Sequence, residues 1–258
     1  MYSIKANAKV NIYLKITGHK DGYHTLNSRF MRVENLYDTI SFIPSKCDSF
    51  TLEGFDSVEL KNNTIYKAFV ALSDYSGNLE LLEFFYNHKV VVDKQIPTMA
   101  GLGGGSSNAG AFLRLANEVC NLGISVEKLA KIGSSIGADV PFFVYNYPSA
   151  NVSGYGDIIE HFDEEPLNIE LFFPDMGCDT ALVYKIFKEN LLSSIMPYKY
   201  IHWQKMSSVA IIEEANNDAS ELNDLYRAAL ITYPTLANIA PKDYLFSGSG
   251  SSFFRIKD

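Results

Sequence analysis

Apolar and polar residues alternate strictly over residues 4–16 of this chain. A repeat of two residues predicts a β-strand with one face in the protein core. That apolar face consists of Ile4, Ala6, Ala8, Val10, Ile12, Leu14 and Ile16. The opposite face is polar and includes Lys9 and Asn11, so we expect it to face either water or a binding site.

Further elements follow from turn residues and apolar spacing in the first half of the chain. The Asp-Gly pair within residues 17–25 predicts a turn between two strands. A second strand pattern is interrupted at Glu34-Asn35, which predicts two strands there rather than one. Asn62 or Asn63 is the expected N-cap of the first helix, and Ser125 caps a later one. The predicted elements are strands within 29–43 and 88–97 and helices at 62–77, 111–122 and 126–132.

The second half of the chain again mixes the two patterns, which predicts the α+β class. A turn-rich segment at 146–157 separates the halves, and we expect two domains, residues 1–147 and 148–258. Strands are predicted at 169–173 and 253–256, and helices at 180–192, 207–216 and 220–231. SGSGSS at 247–252 has a linker composition, but phenylalanines flank it on both sides, so it is predicted to be a tight loop in a packed region.

Composition narrows the class of protein. A length of 258 residues is enough for a large core, and hydrophobic residues make up 47% of the chain. The net charge of −8 argues against general binding to nucleic acid or to an anionic membrane. The three cysteines are widely spaced, and no apolar run is long enough to span a bilayer. We therefore expect a cytoplasmic protein.

A cluster of glycines forms the most informative segment, PTMAGLGGGSSNAG at 97–110. Glycines between a strand and a helix allow the backbone to surround a phosphate, and the helix N-terminus adds positive potential. No lysine follows Gly105, which excludes a Walker A loop. A dinucleotide fingerprint is disfavoured because Ser106 and Asn108 stand where its last glycine belongs. The alternative is a flexible loop that precedes a well-capped helix.

One carboxylate and one lysine are candidates for the chemistry at such a phosphate site. Asp139 lies in the small-residue segment GADVP, with apolar residues behind it, where a carboxylate could act as general base. Lys9, on the polar face of the first strand, could keep that carboxylate ionised. Taken alone, Asp139 is explained as a turn cap and Lys9 as a solvated lysine. Only together do the two residues favour a catalytic site.

Four segments of the chain resemble a known family. PTMAGLGGGSSNAG resembles the second signature of the GHMP small-molecule kinases, and FSGSGSS at 246–252 resembles their third. AKVNIYLKITGHKDGYHTL at 8–26 and GADVPFF at 137–143 resemble the branch that acts on a cytidine-diphosphate-linked methylerythritol. The resemblance implies an N-terminal domain like domain 2 of ribosomal protein S5. It also implies a ferredoxin-like C-terminal domain, which we expect to be shortened because the chain ends soon after Ser252.

The resemblance also implies roles for individual residues in ATP-dependent transfer to the substrate's 2-hydroxyl. Asp139 matches the catalytic aspartate, Lys9 its activating lysine and Asn11 a substrate contact. The implied ATP contacts are Asn63, Lys94, Pro97, Thr98, Met99, Ala100, Gly101, Leu102, Gly103, Gly104, Gly105, Ser106 and Ser107, with Ser107 on the side of Mg²⁺. The implied contacts to the cytidine substrate are Tyr23, His24, Tyr155, Thr180 and Tyr184, with Tyr23 and Tyr184 stacking on the base and His24 reading its edge.

Two alternatives remain open at this point. One is a GHMP kinase of the mevalonate or homoserine type, against which Tyr23 and His24 argue because those substrates have no base to stack. The other is a nucleotide-binding module without catalysis. Asn7, Gly110 and Asp157 depart from the family pattern in ways that we expect to be tolerated. A monomer or weak homodimer is expected, with no zinc site among the dispersed histidines and a solvated turn at 163–165.

Overall fold

The computed structural model describes residues 1–55 and 58–257, which form two compact units. The first unit comprises Met1–Ala8, Glu34–Ile96 and Gly104–Asn146. The second comprises Lys9–Val33, Pro97–Gly103 and the chain from Tyr147 onward. Both units are discontinuous in sequence. The division into domains 1–147 and 148–258 stays a prediction.

Helices and strands occur in separate runs along the chain, as the α+β prediction requires. The strands are β1 (Tyr2–Lys20), β2 (Tyr23–Pro44), β3 (Leu52–Glu53), β4 (His88–Asp93), β5 (Ser149–Gly154), β6 (Ile158–His161), β7 (Ile169–Phe172), β8 (Leu245–Phe246) and β9 (Phe253–Ile256). The α-helices are α1 (Thr64–Ser76), α2 (Leu79–Tyr86), α3 (Gly104–Val119), α4 (Val126–Ser134), α5 (Val140–Tyr145), α6 (Thr180–Asn190), α7 (Ser208–Glu214), α8 (Ala219–Leu222), α9 (Asp224–Thr232) and α10 (Leu236–Ile239). None of the helices in the described ranges is both long and apolar enough to cross a membrane.

The predicted first strand and its turn are confirmed. Strands β1 and β2 pair, and Asp21 and Gly22 between them have φ values of 52° and 86°, which a two-residue hairpin turn requires. The predicted break at Glu34-Asn35 is wrong, because β2 runs through it. Both residues are exposed and neither is glycine or proline, so their polarity reflects contact with water rather than a chain reversal.

From Lys9 onward, the polar face of β1 is buried rather than exposed to water. Lys9 is 4% exposed, Asn11 1% and Lys15 7%. Buried polar groups need hydrogen-bond partners, because the loss of water is costly. This face is therefore the first place where the structure indicates a site.

The first unit packs helices α1–α5 with strands β2, β3 and β4. Residues Thr39–Pro44 of β2 pair antiparallel with β4, and β3 pairs parallel with the other edge of β4. The core includes the rings of Phe42, Phe85 and Phe112, which contact one another. Asn63 is the N-cap of α1, as one of the two predicted alternatives, and Ser125 caps α4 as predicted. Helices α2 and α5 were not predicted, because their short apolar runs show no clear period.

The second unit contains the first part of β2 with β5 and β6, and a separate antiparallel sheet in the order β7-β9-β8. The segment 146–157, predicted as a turn region, contains β5, where Ala150 and Val152 alternate into the core. The predicted helix at 220–231 is interrupted at Asn223, which is extended and whose side chain binds two backbone carbonyls. The prediction for 247–252 is confirmed, because Ser247, Gly248, Ser249 and the residues after them are buried.

The predicted solvated turn at 163–165 is wrong at Glu164. The side chain of Glu164 is 12% exposed, and its Oε1 lies 3.0 Å from Nη1 of Arg29, whose side chain is fully buried. The same guanidinium donates to Asn151 Oδ1 and to the carbonyl of Gln204. Burial lowers the pKa of Arg29 from its usual value, and the carboxylate of Glu164 opposes that shift. This ion pair therefore fixes the segment after β6 to β2 in the second unit.

Removing Arg29 should destabilise the protein strongly. Arg29→Ala leaves the Glu164 carboxylate with no cation, so we expect the free energy of unfolding to fall by about 3–5 kcal/mol in urea denaturation. Arg255→Ala is the control, since the pair of Arg255 with Glu170 is 46% and 29% exposed and its loss should destabilise the protein far less. Equal losses in the two variants would contradict this assignment.

Candidate functional site

The first part of the glycine-rich segment lies against the second glycine-rich loop of the chain. Gly101 and Gly103 have φ values of 73° and 71°, a conformation that favours glycine. The carbonyl of Gly101 accepts from Ser247 Oγ (3.2 Å), and the carbonyl of Ala100 accepts from Ser252 N (3.2 Å). A Cβ atom on Gly101 would lie 2.3 Å from the carbonyl oxygen of Ser247. The structure thus brings together two motifs that the sequence presents separately.

Two side chains form hydrogen bonds with the second glycine-rich loop, residues 247–252. Asn223 Nδ2 donates to the carbonyls of Phe246 (3.1 Å) and Gly248 (2.9 Å). Thr180 Oγ1 and Ser249 Oγ share a hydrogen bond of 2.7 Å, which places this predicted substrate contact at the loop. Sequence reasoning missed Asn223, and its only signal was a polar residue inside an otherwise helical pattern.

The second part of the glycine-rich segment forms the first turn of α3 in the first unit. Gly104, Gly105, Ser106 and Ser107 open this helix, so its free N–H groups and dipole are available to an anion. Ser107 Oγ donates to the carbonyl of Asn7 (2.6 Å), which leaves its lone pairs for other interactions. The carbonyl of Gly105 accepts from Thr64 Oγ1 (2.7 Å), which ties α1 to the start of α3.

A cation of the first unit lies beside the start of α3. The Nζ atom of Lys94 is 3.5 Å from the position that a Cβ on Gly104 would occupy. It is held by the fully buried Asp38, whose Oδ2 lies 2.5 Å from Nζ and whose Oδ1 accepts from the backbone N–H of Gln95 and Ile96. Asp38 was not predicted, and nothing in its sequence surroundings distinguishes it from a surface aspartate.

One predicted ATP contact, Asn63, has a structural role as well, and an unpredicted residue, Asn108, lies beside the glycine-rich segment. Asn63 Oδ1 accepts from Ile65 N (2.9 Å) as the cap of α1, so its amide is already engaged. Asn108, one residue after Ser107, is 1% exposed, and within residues 1–55 and 58–257 neither atom of its amide has a hydrogen-bond partner. Such an orphaned polar group in the second turn of α3 is compatible with an ordered water or ligand at this loop.

Lys9 is held on the polar face of β1 by three contacts in the second unit. Its Nζ donates to Asn11 Oδ1 (2.6 Å) and lies 4.5 Å from the centre of the Phe30 ring. Its backbone N–H donates to the carbonyl of Leu102 (3.0 Å), which joins β1 to the glycine-rich segment. The structure therefore brings Lys9 and Asn11 together, close to the loop at 101–103.

Asp139 lies in the first unit, immediately before α5. It is half-buried with helical dihedral angles, and its side chain makes no capping hydrogen bond to α5. The residues behind it, from Val140 to Val144, are buried. An aspartate in a turn usually caps the next helix, and Asp139 does not have that role here. The approach of its carboxylate to Lys9 stays a prediction.

The predicted substrate contacts form two aromatic pairs in the second unit. The ring of His24 lies 5.2 Å from that of Tyr184 and 5.0 Å from that of His19. The ring of Tyr23 is 70% exposed and lies 6.0 Å from that of Tyr155. Tyr184 thus stands beside His24 rather than opposite Tyr23 in this structure. The stacking of a base between Tyr23 and Tyr184 stays a prediction.

The imidazole of His24 is kept neutral by its surroundings. Burial lowers its pKa below the usual value, and the charges of His19 and Lys188 lower it further. Its Nε2 atom and that of His19 are buried and have no hydrogen-bond partner in the part of the chain that the structure describes. A neutral imidazole with an unpaired nitrogen can hydrogen-bond a ligand as donor or acceptor. Sequence reasoning found His24 but not His19.

Comparisons with known proteins agree on one kind of enzyme. Residues 63–147 match the model of the GHMP kinases N terminal domain. A 4-diphosphocytidyl-2-C-methyl-D-erythritol kinase of Sulfurovum sp. (strain NBC37-1) is 58% identical over the full length of both chains. The enzyme of that name from Sulfurimonas denitrificans is 46% identical over 98% of this chain and 96% of its own length. A crystal structure of 4-(cytidine 5'-diphospho)-2C-methyl-D-erythritol kinase has a TM-score of 0.76 and 26% identity, covering 100% of this chain and 90% of its own.

Proposed function

The chain belongs to the 4-diphosphocytidyl-2-C-methyl-D-erythritol kinases of the GHMP kinase family, and from that membership we propose that it transfers the γ-phosphoryl group of ATP to the 2-hydroxyl of that substrate. The observation that carries the proposal is the 58% identity over the full length of both chains. The reaction is a step of non-mevalonate isoprenoid precursor biosynthesis. The mevalonate and homoserine alternatives are set aside, because this level of identity is to enzymes of the cytidine branch.

The glycine-rich segment from Pro97 to Ser107 binds the phosphates of ATP in this proposal. Positive φ angles at Gly101 and Gly103 support it, because they allow the backbone to approach an anion closely. The first turn of α3 contributes N–H groups, and Lys94 contributes a positive charge beside Gly104. Phosphoryl transfer depends mainly on positioning and charge stabilisation, so these groups supply most of what catalysis requires.

Asp139 and Lys9 act on the acceptor hydroxyl. Asp139 accepts the proton of the 2-hydroxyl as its oxygen attacks the γ-phosphorus, and the bond from that phosphorus to the bridging oxygen breaks to release ADP. Lys9 offsets the negative charge that develops on the attacking oxygen. The buried setting of Lys9 supports this role, since a charge acts more strongly where water is excluded.

Mg²⁺ accompanies ATP in this proposal, with the Ser107 hydroxyl on its side. The donor set fits, because Ser107 Oγ gives its proton to Asn7 and retains lone pairs for a hard cation. In the described ranges no group of three or more acidic, histidine or cysteine side chains is placed to hold a metal. Magnesium is commonly held through substrate phosphates and water with few protein ligands, and it neutralises phosphate charge when bound.

We further propose a cytoplasmic enzyme that is a monomer or weak homodimer.

In this proposal the cytidine substrate contacts His24, Asn11, Thr180 and three tyrosines, Tyr23, Tyr155 and Tyr184. The exposed ring of Tyr23 supports a stacking role, since an exposed aromatic ring offers its face to a base. The unpaired Nε2 of His24 supports a role in reading the edge of cytosine, because a hydrogen bond there rejects bases that lack the matching group.

Substrate affinity should fall in acid. Burial, His19 and Lys188 lower the pKa of His24 below its usual value, so the imidazole is neutral near pH 7 and takes up a proton as the pH falls through that lowered pKa. Because the substrate binds the neutral imidazole in this proposal, KM for the cytidine substrate should rise by up to about tenfold per pH unit below that pKa. KM for ATP, measured in the same assays, should change little. A KM for the cytidine substrate that stays constant while His24 becomes protonated would contradict this role.

Magnesium-dependent release of ADP is the direct test of the proposed function. We expect release with 4-diphosphocytidyl-2-C-methyl-D-erythritol and none with mevalonate or homoserine. Release with either other acceptor would retain the family and contradict the substrate. ATP binding without release of ADP for any acceptor would support the alternative of a binding module without catalysis.

A further inference from the structure

A chain of buried hydrogen bonds runs from β2 to Lys9 in the second unit. Ser28 Oγ donates to the carbonyl of Tyr13, and Asn11 Nδ2 donates to Ser28 Oγ (3.0 Å). Lys9 Nζ then donates to Asn11 Oδ1 (2.6 Å). Lys9, Asn11 and Ser28 are 4%, 1% and 0% exposed, so water does not readily replace a lost partner.

The hydroxyl of Ser28 determines which way the amide of Asn11 faces. A serine hydroxyl has one proton, and here that proton goes to the carbonyl of Tyr13. Towards Asn11 the hydroxyl can therefore only accept, which requires the NH₂ end of the amide. The oxygen end must then point the other way, towards the ammonium of Lys9.

The opposite orientation of the amide would be unfavourable for Lys9. It would place the NH₂ group, a donor, against an ammonium group that is also only a donor. Asn11 is 1% exposed, so water does not readily replace the hydrogen bonds that a reoriented amide would lose. A lysine that faces the wrong end of the amide would therefore move away from it.

We propose that Ser28 is a positioning residue for the phosphoryl transfer, acting on Lys9 through the amide of Asn11. The inference rests on the proposed role of Lys9 in the reaction. Nothing in the sequence around Ser28 indicates this role, because a serine inside a strand is ordinary. Its importance follows from the direction of two hydrogen bonds.

A double-mutant cycle with Asn11→Asp tests the proposal. Ser28→Ala should lower kcat by about ten- to hundredfold while KM for ATP changes little, since a buried partner is lost and the amide is released. In the Asn11→Asp background, Ser28→Ala should change kcat by less than about twofold, because a carboxylate presents an oxygen to Lys9 in either orientation. Equal effects of Ser28→Ala in the two backgrounds would overturn the proposal.

Activity and stability measured together separate positioning from a merely structural role. Ser208→Ala is the matched control, since Ser208 is equally buried in the same unit but binds Glu164, and it should lower the Tm with kcat within about twofold.

Two variants of equal volume replace Ser28→Ala if it does not fold. Ser28→Thr keeps the hydroxyl and should retain kcat, whereas Ser28→Val should lose it to the extent given above. Equal kcat values for folded Thr and Val variants would overturn the proposal. The wild-type enzyme distinguishes the two levels of inference: without transfer to the cytidine substrate the proposed function fails, whereas an active enzyme with an additive cycle rejects only the role of Ser28.

Discussion

Asp139→Asn should lower kcat by about two to four orders of magnitude, the usual contribution of a general base. The amide has the shape of the carboxylate but cannot take the proton of the 2-hydroxyl. We expect the variant to fold, because asparagine has the same shape as aspartate and the side chain of Asp139 is not the cap of α5. The measurement is steady-state release of ADP at saturating concentrations of both substrates, together with the Tm.

Binding measurements define what would contradict this role of Asp139. Direct titration with ATP should give the same Kd for the variant as for the wild type, because the base acts on the acceptor and not on the nucleotide. A kcat within tenfold of the wild type, in a folded variant, would remove Asp139 from the reaction. Lys9→Met provides the comparison, since it removes the other group assigned to the acceptor hydroxyl.

Gly101→Ala should destabilise the second unit strongly. Its φ of 73° disfavours any residue with a Cβ, and that Cβ would lie 2.3 Å from the carbonyl oxygen of Ser247. The two effects together predict a loss of about 2–5 kcal/mol in the free energy of unfolding. Urea denaturation measures this loss, and KM for ATP should rise because the loop must move away from 247–252.

Gly105→Ala is the matched control for Gly101→Ala within the same segment. Gly105 lies in α3, and a Cβ there would have Thr64 Oγ1 as its nearest neighbour at 3.6 Å, an ordinary contact. The variant should be as stable as the wild type or more stable by up to about 1 kcal/mol, because alanine favours the helix. Equal losses of stability at the two positions would contradict the close approach of the two glycine-rich loops.

Local patterns were sufficient to predict many elements correctly. The strand at 4–16 and the helices after Asn63 and Ser125 were predictable because each combines a clear apolar period with a turn or cap residue. The errors fall where polarity had another cause. Glu34-Asn35 is polar because it is exposed within β2, and Asn223 interrupts a helical pattern because its amide serves the loop at 247–252.

The residues of the candidate site likewise divide into those that local motifs reveal and those that they do not. Motifs were sufficient to find the glycine-rich segments, His24, Lys9 and Asp139, because each is a short run with distinctive residues. Asp38, His19 and Ser28 were missed, because each matters only through the side chain beside it. Glu164 was predicted to be solvated for the same reason, since the sequence does not show that the buried Arg29 lies opposite its carboxylate.

The sequence alone thus determined the class of fold, the glycine-rich segments and the family, because these depend on period, glycine content and order along the chain. Only the tertiary structure decided which polar groups are buried and what they face. Lys9 illustrates the difference: its position on the polar face of β1 follows from a repeat of two residues. Its partner Asn11 follows from the same repeat. Phe30 and the hydroxyl of Ser28 lie on β2 and meet this face only in the folded protein, because burial forces each buried polar group to find a partner in space.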